Sequence, residues 1–123
     1  MKKGIFLMSG ILLALMSSAQ VSFSEVNSTD EWELILQKAA EKNQNIFIDV
    51  TADWCGFCKM MDRDVFSDGE VGEYLNGSFI PVKIDADLTF GSTFSAKHGI
   101  SGLPTFLVMN AEENVIDKLV GYQ

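Results

Sequence analysis

The chain's only two cysteines, Cys55 and Cys58, stand three residues apart in DWCGFCKMM, residues 53–61. Two thiols at this spacing can bridge to each other, supply half of a metal site, or pass electrons. A bridge between them closes so small a loop that it removes little chain entropy, which makes it a poor staple. Zinc wants four ligands. Beyond the pair the chain has one histidine, His98, so no metal is expected and His98 reads as an ordinary helix residue. Electron transfer is the favoured chemistry. Cys55 falls where an apolar strand-like run gives way to a helix-like one. Unpaired N–H groups and the macrodipole at a helix start favour negative charge. A thiol there can drop from about 8.5 to roughly 3.5–7.5. Cys58 lies one turn further in. Cys55 is therefore expected to attack a disulfide, and Cys58 to attack the mixed disulfide and release the product. The exchange requires no cofactor.

Asp49 and Pro104 are the next candidates. Asp49 sits inside NIFIDV, six residues before Cys55. A carboxyl buried there costs free energy unless paired or neutral, and desolvation raises its pKa. On the strand feeding the helix it could take the Cys58 proton during resolution; a solvated aspartate is the plain alternative. Pro104, in GLPTF, opens an apolar strand and suggests a turn or an edge. Base rates alone leave its peptide bond trans.

These residues need elements to hold them. STDEWELILQKAAEKNQ reads as a helix, with Ser28 and Glu31 as a capping box and Asp30, Glu31 and Glu33 near its positive end. Trp32, Leu34, Ile35, Leu36 and Ala39 supply its apolar face. NIFIDVTA is a strand apolar on both sides, hence central. DWCGFCKMMDRDVF is a helix with the cysteines in its first turn. SDGEVGEYLNGS is a break and a shorter helix, FIPVKIDAD a strand, and FGSTFSAKHGI a helix ending at Gly99. SGLPTFLVMN and NVIDKLVGY are strands joined by AEEN as a hairpin. QVSFSEVN is a short edge strand. This order predicts an α/β fold with a mixed sheet.

The first residues have a different character. Lys2 and Lys3 precede an uncharged apolar run from Gly4 to Met16, and Ser17-Ser18-Ala19 follows. That is the pattern of a secretory signal peptide, 1–19, cleaved after Ala19. The run is short of the roughly 20 residues of a membrane span. The remainder, 20–123, is one small domain, and export places it in the periplasm or outside the cell, where disulfides persist. The chain carries a net charge of −8. Acidity repels phosphate backbones, so nucleic acid is excluded as a partner.

FIDVTADWCGFCK, KHGISGLPTF and the closing VGY together resemble the thioredoxin superfamily. The long DVFSDGEVGEYLNGSFIPVKIDAD is similar to its exported branch, such as the C-terminal domain of transmembrane thiol–disulfide interchange reductases. The resemblance implies a thioredoxin-like fold, with a central mixed sheet flanked by helices, and a redox-active Cys55–Cys58 disulfide. It implies that Asp49 is the family's buried acid and Pro104 its cis-proline facing the cysteines. Trp54, Gly56, Phe57, Leu103, Pro104 and Gly121 would line the substrate groove. Protein disulfides would be the substrates, refilled by a membrane electron donor. Three features depart from the family. Phe57 stands where thioredoxin has proline and the isomerases have histidine. Pro81 holds the place of a strand lysine, with Lys83 two residues along. The chain ends at Gln123, where the family continues into a last helix, so that helix is expected to be missing. No cation lies between the cysteines, which favours a reductase over an oxidase or isomerase. A thioredoxin scaffold that binds clients through an inert pair is the rival of another class.

Overall fold

The computed structural model describes residues 19–123; the expected leader lies outside the described residues except for Ala19. The elements run β1 (Ser24–Glu25), α1 (Thr29–Lys42), β2 (Asn45–Thr51), α2 (Gly56–Asp64), α3 (Gly69–Ser78), β3 (Phe79–Asp85), α4 (Thr89–Lys97), β4 (Thr105–Met109) and β5 (Val115–Val120). The strands form one sheet in the order β1-β3-β2-β4-β5. β1, β3 and β2 are parallel, and β4 and β5 are antiparallel to their neighbours.

Alternation along β2 builds the two layers. Ile46, Ile48 and Val50 point to one side and are fully buried. They meet Trp32, Ile35 and Ala39 of α1 and Phe94 of α4. Phe47 points to the other side, where Phe66 and Phe106 pack against Met61 of α2 and Leu75 of α3. Asp49 shares that side. β2 is therefore central and covered on both faces, as its apolar run predicts.

Local sequence sets the helix ends. The Ser28 hydroxyl oxygen accepts from the Glu31 N–H at 3.1 Å, and the Glu31 carboxylate accepts from the Asn27 N–H at 3.2 Å. The capping box thus closes one residue further back than its usual form. Asp68 caps α3 by accepting from the Glu70 and Val71 N–H groups. Gly99, at φ +63°, takes the left-handed turn after α4 that other residues resist. One expectation fails: Leu34 is 63% exposed. The buried stripe of α1 follows the spacing of Trp32, Ile35 and Ala39, and Leu34 falls outside it.

Two prolines avoid the ladder. The Lys83 carbonyl accepts from the Val26 N–H of the β1 side. Alternation turns the Pro81 nitrogen to that same side, where β1 pairing starts only at Val82. Pro104 stands just before β4, an interior strand, so it removes no ladder donor.

The chain before β1 is strapped across α3. The Val21 N–H donates to the Phe66 carbonyl at 2.9 Å. The Asn76 amide accepts from the Ser22 N–H at 2.8 Å and donates to the Gln20 carbonyl at 3.0 Å. A Cβ at Gly72 would collide with the Ala19 carbonyl, so this strap needs glycine beneath it. On the same side of the sheet an apolar groove of about 380 Å³ stays open, lined by Phe47, Met61, Tyr74, Phe106 and Leu119 among others. Every residue of β5 is exposed. No helix follows β5 among the described residues.

Candidate redox site

The β2–α2 junction carries the cysteines because the strand ends at Thr51 and a short turn launches the helix at Gly56. Cys55 is the N-cap of α2, and its Sγ accepts from the Cys58 N–H at 3.1 Å. A sulfur there occupies the position normally taken by a capping oxygen, so any charge it gains faces the positive helix end. Cys55 and Cys58 are joined as a disulfide, with Cα atoms 5.2 Å apart. They pack with Ala52, and Leu103 covers them.

The other expected residues come from three separate loops. The Leu103–Pro104 peptide bond is cis, and Pro104 is buried. Its carbonyl accepts from the Gly121 N–H at 2.8 Å. That bond ties the end of β5 to the proline loop. Gly121 has φ +89°, which suits glycine. Trp54 and Phe57 stand out from the surface, 70% and 58% exposed. Gly56 is exposed, and a Cβ there would meet nothing within 4 Å, so steric need does not explain this glycine.

Asp49 is 1% exposed, and its Oδ1 has no hydrogen-bond partner. Burial pushes its carboxyl up to about 7; Lys83 pulls the other way, and Asp62 adds to the rise. Register explains the weak rescue by lysine. Lys83 lies directly across from Asp49 on β3, yet its Nζ donates to Asp62 of α2 at 2.6 Å. Asp62 thus draws the ammonium off the buried acid. A carboxyl that titrates near neutrality beneath α2 can accept and return a proton at working pH.

Sequence reasoning missed two residues. Asp62 is one, and its signal was its position four after Cys58, on the same helix face. Asp87 is the other: its carboxylate accepts from Trp54 Nε1 at 2.8 Å and fixes the indole. Its N–H in turn donates to Asp85 at 2.9 Å. Pairing across 33 residues left no sequence signal. His98, by contrast, packs against the Phe94 ring with centroids 4.5 Å apart, away from the cysteines. Among the described residues no group of three His, Cys, Asp or Glu is placed to hold a metal.

The sheet order and the place of the cysteine pair define a thiol–disulfide oxidoreductase of thioredoxin-like fold. The chain belongs to the thioredoxin-like family: the model of that domain matches residues 32–123. It is 37% identical over 95 residues to Thioredoxin H4 of Arabidopsis thaliana, covering 77% of this chain and 75% of that one. It is 35% identical over 103 residues to the thiol:disulfide interchange protein DsbD of Klebsiella pneumoniae. That match covers 80% of this chain and only 16% of DsbD. Among solved structures, a thioredoxin from Nicotiana alata superimposes with a TM-score of 0.68 at 27% identity, covering 87% of each chain.

Proposed function

We propose that the protein reduces disulfides of other proteins outside the cytosol. The observation that carries this reading is the Cys55 sulfur at the α2 N-cap, with no basic residue between it and Cys58. In the reduced protein the Cys55 thiolate attacks one sulfur of a client disulfide. A mixed disulfide forms and the first client thiolate leaves. Cys58 gives its proton to Asp49 and attacks the Cys55 sulfur. The second client thiolate leaves, and the protein is left with the Cys55–Cys58 bond. A membrane dithiol donor must then reduce that bond. Trp54, Gly56, Phe57, Leu103, Pro104 and Gly121 border the groove that holds the client.

Direction follows from what stabilises the thiolate. Strong oxidants have a strongly stabilised reduced form. Here the helix end is the stabilising feature, while the adjoining cleft, with Cys58 on its wall, sets four carboxylates, Glu25, Asp53, Asp62 and Asp85, against two cations, Lys59 and Lys83. Carboxylates disfavour a neighbouring thiolate. The reduction potential of the pair is expected to lie below about −200 mV, on the thioredoxin side of the known range. A potential near −120 mV would make the protein an oxidase instead.

Export rests on the order of Lys2-Lys3, apolar run and Ser17-Ser18-Ala19. Val21, two residues beyond, is the first described residue to enter the core, which supports a domain boundary there. Intact mass of the protein recovered from its producing cell should correspond to a chain starting at Gln20. Retention of residues 1–19 would contradict the leader assignment.

A further inference from the structure

The redox end of the molecule has a charge pattern that the exchange chemistry does not use. Beside Cys58 opens a cleft of about 270 Å³, walled by Glu25, Asp53, Asp62 and Asp85 against two cations, Lys59 and Lys83. One of those cations is already engaged, since Lys83 donates to Asp62 at 2.6 Å. Asp87 adds a further carboxylate at the foot of Trp54. The anionic excess is local to the β1–β3 side of the disulfide, because β1 carries Glu25 and β3 ends at Asp85. Exposed apolar side chains border the cleft: Leu88 lines it, Asp87 beside Leu88 holds Trp54, and Phe57 adjoins Cys58 in sequence. Trp54, Phe57 and Leu88 are 70%, 58% and 44% exposed. Trp54 is held upright by Asp87, so little side-chain freedom is lost when a client covers it.

The geometry points to a substrate class: client segments whose cysteine lies within a few residues of both an apolar side chain and lysine or arginine. The inference rests on the redox reading above and adds to it a rule of selection. The apolar residue covers the exposed side chains of Trp54, Phe57 and Leu88, and the basic residue enters the acidic cleft on the β1–β3 side. Opposite charge steers the encounter and fixes the register, while an acidic client meets repulsion at the same place. Selection of this kind acts on the approach to Cys55 and leaves the two exchange steps unchanged.

The test uses the reduced full chain and three synthetic peptides. All share one disulfide and one leucine beside it, and they differ only in flanking Lys, Gln or Glu. Single-turnover rates are read by fluorescence of the indole beside the pair. At about 0.01 M salt, where the Debye length is roughly 30 Å, the Lys peptide is expected to react at least about tenfold faster than the Glu peptide. The Gln peptide should fall between them. At about 1 M salt, with a Debye length near 3 Å, the three rates should converge. The double variant Glu25→Gln/Asp53→Asn should shrink the Lys-over-Glu ratio several-fold at low salt. Equal rates for all three peptides at low salt would overturn the selection rule and leave the redox reading standing. A ratio unaffected by salt or by the double variant would overturn it as well. If no peptide is reduced, both readings fall together.

Discussion

A Cys58→Ser variant is expected to accumulate as mixed disulfides with its clients, all attached through Cys55. Resolution is an intramolecular attack, and well-oriented intramolecular reactions have effective molarities of about 10⁵ M or more. With Cys58 gone, only external thiol can release the client. Multiple turnover of a protein disulfide should fall by about 10³-fold or more. The N-cap geometry assigns the order of attack: Cys55 Sγ caps the helix start, and Cys58 follows one turn into the helix. Mass spectrometry of adducts trapped in cells, with a Cys55→Ser variant beside it, decides the matter. Adducts on the Cys55→Ser protein in place of the Cys58→Ser protein would reverse the two roles.

Replacing Asp49 by Asn should slow turnover and stabilise the fold, with both effects depending on pH. In the folded oxidised protein the Asp49 carboxyl titrates near 7, against 3.8 for the ordinary group. Between those values the native state holds a proton that the unfolded chain has released, so stability falls as pH rises across that window. The accumulated cost is about 4 kcal/mol at and above pH 7, at 1.36 kcal/mol per unit. The amide has no such cost. Its advantage in denaturant midpoint should be full above pH 7 and vanish towards pH 4. Turnover should move the other way. The wild-type rate should climb through pH 7 as Asp49 becomes a base, and the variant should lose that inflection and about 10²-fold in rate. Asp62→Asn provides an internal check. It frees Lys83 for Asp49 and removes a nearby negative charge, so the inflection should move to lower pH. An Asp49→Asn protein with the wild-type rate profile would exclude Asp49 as the proton acceptor.

Local chemistry made much of this legible from sequence. The alternation of Ile46, Ile48 and Val50 against Phe47 and Asp49 predicts a strand covered on both sides, and β2 is that strand. Ser28 and Gly99 mark their helix ends because capping is a matter of neighbours a few residues away. The two cysteines carry their reading in their spacing. What stayed hidden depends on contacts across the sheet. By sequence count Lys83 stands two residues along from the place of the family's lysine, yet parallel register sets it directly opposite Asp49. Its diversion to Asp62 joins a strand to a helix 21 residues away. Asp87 reads as one more surface acid until the chain brings it under the Trp54 indole. Leu34 belongs to an apolar run by composition and faces solvent by a rotation of one residue.

The strap before β1 also decides how this molecule can be held. Val21 bonds to Phe66, beyond the end of α2 opposite Cys55. Nine helical residues, roughly 13 Å, separate the two. Gln20, the first residue of the proposed mature chain, is therefore held beside α3, at the pole remote from the disulfide. A surface coupled to the protein at that pole would leave the reactive end pointing away from it. Large partners can then reach it from the open side without displacing the attachment.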